Sequence, residues 1–296
     1  MEKREITLDQ VRGEAVGKHL SKEELERFHA GWEEERQIPT RHGETHVYLY
    51  GPGKKREGTY PLLINLHGGG FVKGHRDQDV VFCRNMVENS GYVVVDIDYH
   101  TAPEYRYPYA LEESYDVVKY VADHPEEFQA DAGKMVLAGH SAGGNLVCGI
   151  QFMALKSGDF SPAYLILDYP PLDFVRDPEE FRYARAPFIR ILPDQMRMYQ
   201  QWYIDQDRVK EITASPIQAA KYELEQFPPV LLLMAEEDSL TEDCIHFASK
   251  LMEAGVTVLA KCVKGCGHGF TVRRSPGYET AEEMIFEVLK KVAERN

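Results

Sequence analysis

Short apolar runs that alternate with helical segments constrain the fold of this chain more than any other feature of its sequence. The alternation predicts strands over 61–66, 92–97, 134–138, 163–167, 229–235 and 256–263, and helices over 78–88, 111–122, 145–156, 245–254 and 280–294. Strands that are apolar on both faces and alternate with helices form a mostly parallel sheet covered by helices. We therefore predict an α/β protein.

The N-terminal part of the chain lies outside this alternation. Residues 7–31 carry apolar positions at helical spacing, and Ser21 followed by Glu24 is typical of a capping box at the start of a helix. Two strand-like runs, over 34–40 and 44–50, follow and are joined by a short polar turn. They predict a β-hairpin ahead of the parallel strands.

The alternation is interrupted once, over residues 172–226. This stretch is rich in Pro, Arg, Tyr and Met and contains no convincing buried strand. We interpret it as an insertion between two strands of one sheet, so that residues 1–296 form a single domain. A chain of 296 residues is long enough for one large core.

Composition argues against several classes of protein. A net charge of −14 is opposite to the basic surface that nucleic-acid binding requires. No apolar run approaches the roughly 18 residues of a membrane-spanning helix, and the polar N-terminus predicts no secretory signal. The five cysteines have neither a disulfide framework nor metal-ligand spacing, so we expect free thiols in a reducing cytoplasm. We also expect no metal or other cofactor.

A G-x-S-x-G pattern at residues 139–143 lies between a predicted strand and a predicted helix. A serine in this position occupies a strained turn that leaves no room for side chains two residues away, a demand that Gly139 and Gly143 meet. At the N-terminus of the following helix, free N–H groups favour developing negative charge, and the N–H of Ala142 is a candidate oxyanion donor. We predict Ser141 as a nucleophile. A simple Gly-Ser turn is the alternative, and we expect His140 to point away from the serine.

Three consecutive glycines follow the first predicted parallel strand, within residues 67–71. Glycines allow backbone amides to approach a substrate carbonyl without a Cβ in the way. We predict Gly69 and Gly70, with Ala142, as oxyanion-hole donors. A flexible turn or a phosphate-binding loop is the alternative, but the spacing is not that of a nucleotide-binding loop.

A nucleophilic serine needs a histidine base, and that base needs a carboxylate partner. In strand–serine–helix sites of this type the chain order is Ser, then Asp or Glu, then His. Of the two histidines beyond the insertion, His246 lies within a helical pattern and His268 in a glycine-rich loop before the last helix, so we predict His268. Asp238, at the end of a predicted strand, is the predicted acid, with Asp173 as the runner-up.

With these residues assembled, the chain resembles the bacterial, acetyl-esterase-like members of the hormone-sensitive-lipase family of esterases. The resemblance covers nearly the whole chain and rests on residues 67–71, 98–104, 108–112, 139–144, 238–240 and 268–270. It implies an α/β-hydrolase fold with a mostly parallel eight-stranded sheet flanked by helices. It also implies a helical cap formed by about residues 1–31 and 172–226, and metal-independent hydrolysis of small esters with acyl chains up to about C4 to C6. Members are often homodimers.

An apolar stripe within residues 187–203 is expected partly to pack on the body and partly to line the acyl or alcohol pocket. The chain departs from the family pattern at His140 in place of Asp, Ser239 in place of Pro and Thr101 in place of Leu. These departures bear on substrate preference and pH optimum more than on the chemistry.

Two other functions fit the same scaffold. Plant hormone receptors that resemble the family lack the histidine, so the presence of His268 argues against a non-catalytic ligand-binding protein. An amidase or peptidase with the same three residues stays open. Ester cleavage makes lighter demands on protonation of the leaving group, which favours an esterase.

Overall fold

The computed structural model describes residues 7–16, 21–54, 59–181 and 191–295. The strands are β1 (Trp32–Thr40), β2 (Gly43–Gly51), β3 (Tyr60–Leu66), β4 (Val93–Asp98), β5 (Ala130–His140), β6 (Tyr164–Asp168), β7 (Val230–Ala235) and β8 (Val258–Val263). The helices are α1 (Leu8–Val16), α2 (Lys22–Leu25), α3 (Asp77–Ser90), α4 (Tyr109–Asp123), α5 (Ala142–Ser157), α6 (Pro193–Tyr203), α7 (Lys221–Leu224), α8 (Thr241–Glu253) and α9 (Tyr278–Ala293).

All of these strands form one sheet of eight, in the order β1-β2-β4-β3-β5-β6-β7-β8. The predicted hairpin pairs β1 with β2, and β2 joins the sheet antiparallel to β4. From β4 to β8 every neighbouring pair is parallel. The predicted mostly parallel sheet of eight strands is therefore confirmed.

Apolar layers cover both faces of the sheet. Successive side chains of β3 alternate between them: Leu62 and Ile64 pack into the layer under α4, α5 and α8, and Leu63 into the layer under α3 and α9. Since both faces are buried, a central strand is apolar at nearly every position, which explains the continuous apolar runs in the sequence. The buried exceptions Asn65 in β3 and Asp96 in β4 are hydrogen-bonded to each other.

The capping box at Ser21 forms as predicted, but the helix that it begins is short. The N–H of Glu24 donates to Ser21 Oγ at 3.2 Å, and the N–H of Ser21 donates to Glu24 Oε2 at 2.8 Å. Helix α2 ends at Leu25, whose carbonyl accepts a hydrogen bond from Arg84 Nη1 at 2.9 Å. The helical pattern over residues 7–31 thus predicted too much helix at its C-terminal end, and residues 17–20 lie outside the described ranges.

The insertion (residues 172–226) connects β6 to β7, as its place in the sequence indicated. Its described part contains α6 and α7 and no strand. Residues 182–190, which carry the first part of the predicted apolar stripe, lie outside the described ranges. That the insertion and residues 1–31 form one cap stays a prediction. In the part of the chain that the structure describes, no helix has the length and apolar character needed to span a membrane.

Candidate active site

Ser141 lies on the sharp turn between β5 and α5. Its φ of 52° and ψ of −116° place it in a region that residues other than glycine rarely adopt. The turn is closed by glycines on both sides: a Cβ on Gly139 would lie 2.3 Å from the carbonyl of Gly143, and a Cβ on Gly143 would lie 2.0 Å from Leu66 O. Any side chain at either position would therefore prevent this turn.

The structure brings together the three side chains predicted from the sequence. Ser141 Oγ lies 2.9 Å from His268 Nε2, and His268 Nδ1 lies 2.8 Å from Asp238 Oδ2. The other oxygen of Asp238 accepts the N–H of Leu240 at 3.2 Å. Since an ionised carboxylate accepts but does not donate, this arrangement places the proton of His268 on Nδ1 and leaves Nε2 free to accept from the serine.

Two loops hold this chain of hydrogen bonds together. Asp238 follows β7 and His268 follows its parallel neighbour β8, so both loops leave the same edge of the sheet. The N–H of Glu237 donates to Cys266 O at 2.9 Å, and the N–H of Gly265 donates to Glu236 Oε2 at 3.0 Å. The distance between the carboxylate and the imidazole is therefore fixed by backbone contacts between the loops.

The alternatives weighed from the sequence take no part in this line of hydrogen bonds. Asp173 Oδ1 accepts two backbone N–H groups of its own turn, and His246 is exposed on α8. His140 is buried and turns away from Ser141, as predicted, so that its Nδ1 lies 2.8 Å from Asp168 Oδ2.

The pair of His140 and Asp168 is joined to the turn that carries Ser141. Asp168 lies opposite His140 in the register of β5 and β6, and its backbone oxygen accepts the N–H of Ser141 at 2.8 Å. Burial raises the pKa of Asp168 against the opposing effect of its hydrogen bond to His140. This partner could not be found from the sequence, because the alternation of strands and helices does not reveal the order of the strands in the sheet.

The glycine loop faces Ser141 as the sequence predicted. Gly69 and Gly70 have φ values of 139° and 62°, and a Cβ on either would lie 2.7 Å from Lys73 O or from the Tyr199 ring, respectively. Among the described residues, none accepts a hydrogen bond from the N–H groups of Gly69, Gly70 or Ala142. These three donors are available to a ligand beside the serine hydroxyl.

A pocket of about 350 Å³ opens over Ser141. Its apolar wall comes largely from the insertion and includes Phe71, Phe174, Pro178, Phe181, Ile191, Met196, Tyr199, Leu240 and Val272. Part of the predicted stripe thus lines the pocket and part packs inward: Tyr203 is buried with its ring stacked on Phe71 at 3.6 Å. The described residues of 7–31 do not line this pocket.

Tyr169 is a neighbour of the site that the sequence did not indicate. It follows β6 directly with a φ of 42°, and its ring meets the imidazole of His268 edge-on at 5.0 Å. Burial raises the pKa of its hydroxyl well above the ordinary value. The ring therefore acts as an apolar wall beside the candidate base.

The comparison with protein families decides which family the chain represents. Residues 63–272 match a family described by the α/β-hydrolase fold. The chain belongs to this family. Its predicted resemblance to esterases of this fold is confirmed by the relatives and solved structures described next.

The relatives of this α/β hydrolase include two named for ester cleavage. An esterase called LipI from Mycobacterium tuberculosis is 29% identical over 211 residues, a match that covers 71% of this chain and 65% of the relative. An ethyl acetate hydrolase from Pseudomonas putida is 28% identical over 261 residues and is matched over 81% of its length, with 86% of this chain covered.

Solved structures of esterases superimpose on nearly the whole length of this chain. The esterase from Pyrobaculum calidifontis superimposes with a TM-score of 0.87 at 31% identity, covering 97% of this chain and 93% of that one. A thermostable carboxylesterase from a metagenomic library also has a TM-score of 0.87, at 25% identity and with 98% and 99% of the two chains covered.

Metal ligands were not expected from the sequence. Over residues 7–16, 21–54, 59–181 and 191–295, no group of three or more His, Cys, Asp or Glu side chains has an arrangement that could hold a metal ion. The expectation that no metal or other cofactor takes part stays a prediction.

A second buried charge pair of this α/β hydrolase lies behind the glycine loop. His75 Nε2 lies 2.7 Å from Asp96 Oδ2, and Asn65 donates to the other oxygen of Asp96 at 2.8 Å. Burial lowers the pKa of His75, but the negative charges of Asp96, Asp79 and Asp98 outweigh it and raise the pKa to about 9. His75 is therefore a cation at neutral pH.

The pKa of His75 predicts a pH-dependent stability. The pKa of His75 in the folded chain lies above the unfolded value of about 6.5. The stabilisation of the fold by protonated His75 is therefore complete below about pH 6.5 and is lost as the pH rises through 9. We expect the deficit in unfolding free energy of His75→Gln relative to the native chain to shrink by roughly 3 kcal/mol between pH 6 and pH 9.5, measured by urea unfolding. Substituting the exposed His246 with Gln should give no such trend, and a constant deficit for His75→Gln would contradict the assignment.

Proposed function

We propose that this chain is a serine carboxylesterase that hydrolyses small esters with short acyl chains through an acyl-enzyme intermediate. The observation that carries the proposal is the continuous line of hydrogen bonds from Ser141 through His268 to Asp238, next to three free N–H donors. The names of the relatives, which are esterases and an ethyl acetate hydrolase, support the same reaction class.

Acylation follows from the geometry. Ser141 Oγ attacks the ester carbonyl carbon while His268 Nε2 takes the hydroxyl proton, and Asp238 stabilises the imidazolium through its Nδ1–H. The carbonyl oxygen becomes an oxyanion that accepts from Gly69, Gly70 and Ala142. The bond to the alcohol oxygen then breaks, and His268 gives its proton to the leaving alcohol.

Deacylation repeats these steps with water as the nucleophile. His268 takes a proton from the water, whose oxygen attacks the acyl carbon and forms a second oxyanion in the same place. The bond to Ser141 Oγ breaks, the proton returns to the serine, and the carboxylic acid leaves. Helix α5 starts at Ala142, so the positive end of its dipole favours both oxyanions.

A test of the nucleophile uses two serines. We expect Ser141→Ala to reduce turnover of p-nitrophenyl acetate by about 10⁴-fold or more, because no other group in the site forms the acyl-enzyme. A fluorophosphonate probe should label the native chain and not this variant. The exposed Ser161, changed to Ala, serves as the control and should alter neither result. Normal turnover by folded Ser141→Ala would refute the proposed function.

The probe and a pair of substrates also separate the rival functions. A ligand-binding receptor would leave Ser141 unlabelled. An amidase or peptidase would turn over an anilide as well as the corresponding phenyl ester, whereas an esterase would cleave only the ester. We propose the esterase because its leaving group needs less assistance from His268.

The pocket predicts the acyl length. Its volume of about 350 Å³ lies near the lower end of the range of about 300–1,000 Å³ that small-molecule sites occupy. We expect kcat/KM for a series of p-nitrophenyl esters to peak no later than about C4 to C6, where apolar contact with the wall is complete. A maximum at long chains, from about C10 upwards, would contradict this expectation.

The rim of the pocket differs in charge from the rest of the protein. Its described lining includes the cations Lys73, Arg76, Arg176 and Arg273 and one carboxylate, Asp173, although the chain carries a net charge of −14. Arg176 is neutralised outside the pocket by two carboxylates of α8. The exposed guanidinium of Arg273 lies over Gly269 and forms no hydrogen bond or ion pair within the described residues.

The free charge of Arg273 predicts a preference among esters of equal size. We expect Arg273→Gln to lower kcat/KM for 3-acetoxybenzoate by roughly 2- to 5-fold, as for an exposed ion pair, and to leave 3-methylphenyl acetate unchanged. Lys290→Gln removes an exposed charge from α9 and is the control for net charge. Equal effects of Arg273→Gln on the two esters would contradict a role of this charge in binding.

We further propose a reducing location, the cytoplasm, and a possible homodimer. All five cysteines are free, and four of them are buried. Buried free thiols are typical of proteins from reducing compartments. The partner proposed for the site is a small-molecule ester and not a nucleic acid.

A further inference from the structure

The carbonyl oxygen of Gly68 receives a charged hydrogen bond directly behind the candidate oxyanion hole. Arg76 Nη2 donates to it at 2.9 Å, and His67 Nδ1 lies 2.9 Å from the same oxygen. The carbonyl of Gly68 and the N–H of Gly69 belong to one planar peptide group. A group bound at that oxygen therefore acts on the N–H that faces the site.

Arg76 is held in this place by the start of α3. It is the residue before the helix, and its own N–H donates to Asp79 Oδ2 at 3.0 Å. Arg76 Nε lies 3.7 Å from the same carboxylate oxygen, and Asp79 is fully buried. The guanidinium is itself half-buried, so its position relative to the Gly68 carbonyl is fixed and only partly screened by solvent.

We propose that Arg76 is a positioning residue that polarises the peptide between Gly68 and Gly69 and so strengthens the N–H of Gly69 as an oxyanion donor. The inference rests on the proposed ester hydrolysis. A cation at the carbonyl oxygen draws electron density away from the N–H end of the peptide, and hydrogen bonds in series reinforce one another in this way. Charge-assisted bonds of this kind are about twice as strong as neutral ones.

The effect belongs to the transition state. The carbonyl oxygen of the bound ester carries only a partial negative charge, whereas the oxygen of the tetrahedral intermediate carries a full negative charge. A stronger N–H donor therefore stabilises the intermediate more than the bound ester. Arg76 therefore acts on kcat and leaves KM nearly unchanged. A residue that only bound a charged substrate would instead change KM, and only for anionic esters.

The experiment compares three substitutions on a neutral ester, p-nitrophenyl acetate. Loss of a whole oxyanion donor costs about 10²- to 10³-fold, so weakening one should cost less, and we expect Arg76→Met to lower kcat roughly 5- to 30-fold with KM within about 2-fold. Arg76→Lys keeps the charge and should recover most of the loss. Arg76→Gln keeps a donor without the charge and should recover little.

A transition-state analogue provides the second measurement. A trifluoromethyl ketone adds to a serine to give an alkoxide in the place of the oxyanion, whereas the corresponding methyl ketone binds without this charge. We expect the affinity for the trifluoromethyl ketone to fall in Arg76→Met by the same factor as kcat/KM, and the affinity for the methyl ketone to stay constant. Arg295→Gln is the matched control, since Arg295 also donates to a backbone carbonyl, that of Ala163, far from the site.

Three results would overturn the inference: an unchanged kcat in Arg76→Met, a change in KM alone, or full recovery of kcat by Arg76→Gln. The last result would show that the hydrogen bond to Gly68 O matters only for structure and that its charge does not. Unfolding midpoints and fluorophosphonate labelling of each variant show whether it is folded with an active serine. If Arg76→Met does not fold, the comparison of Arg76→Lys with Arg76→Gln decides. Failure of this inference leaves ester turnover and its loss in Ser141→Ala intact, whereas failure of the proposed function removes both.

Discussion

The contact between Gly143 and the backbone of Leu66 is the constraint on which the site depends. Only a hydrogen atom fits at this position, since a Cβ would lie 2.0 Å from Leu66 O. Leu66 ends β3 immediately before the glycine loop, and Gly143 lies in the first turn of α5 immediately after Ser141. The same close approach therefore sets the distance between the candidate nucleophile and two of the three oxyanion donors. In a parallel sheet with β3 and β5 as neighbours, no side-chain interaction is needed to bring them together.

The parts of the site that could be predicted from the sequence are those encoded locally. The glycines around Ser141, the glycine run at 68–70 and the loop of His268 each carry their own steric reason, and the chain order selects among the few remaining carboxylates. The choice of Asp238 over Asp173 as the acid followed from the position of Asp238 at the end of a strand. The fold could be predicted for a similar reason, because a strand that is buried on both faces is apolar at nearly every position.

The contacts that could not be predicted from the sequence depend on which strands are neighbours in the sheet. Asp168 meets His140 only because β6 lies beside β5, and His75 meets Asp96 through the packing of the loop after β3 against β4. Nothing in the alternation of apolar runs states that order. The bond from Arg76 to the Gly68 carbonyl was missed for a different reason: it joins a side chain to a backbone atom, which has no residue type to recognise.

The departures from the family pattern are accommodated by partners of their own. Ser239 Oγ donates to Ile191 O at 2.8 Å and so ties the turn that holds Asp238 to the insertion above the pocket. Thr101 Oγ1 accepts from Arg12 Nη2 at 3.4 Å, within a set of bonds that fixes α1 to the loop after β4. In each case the departing side chain thus forms a hydrogen bond to a segment distant in the sequence.

The electrostatics of the site are local, which reconciles an acidic protein with a reaction that creates an anion. Exposed charges further away than about 8 Å are largely screened at physiological ionic strength, so the net charge of −14 has little influence at Ser141. The groups within reach have the opposite sign: the N-terminus of α5, the free amides of the glycine loop, and the half-buried Arg76 behind them. Their positions are fixed by the fold before a substrate arrives, so no reorganisation is required when the charge develops. The cost of holding a cation there is reduced by Asp79, whose carboxylate lies 3.7 Å from Arg76 Nε and accepts the N–H of the same residue.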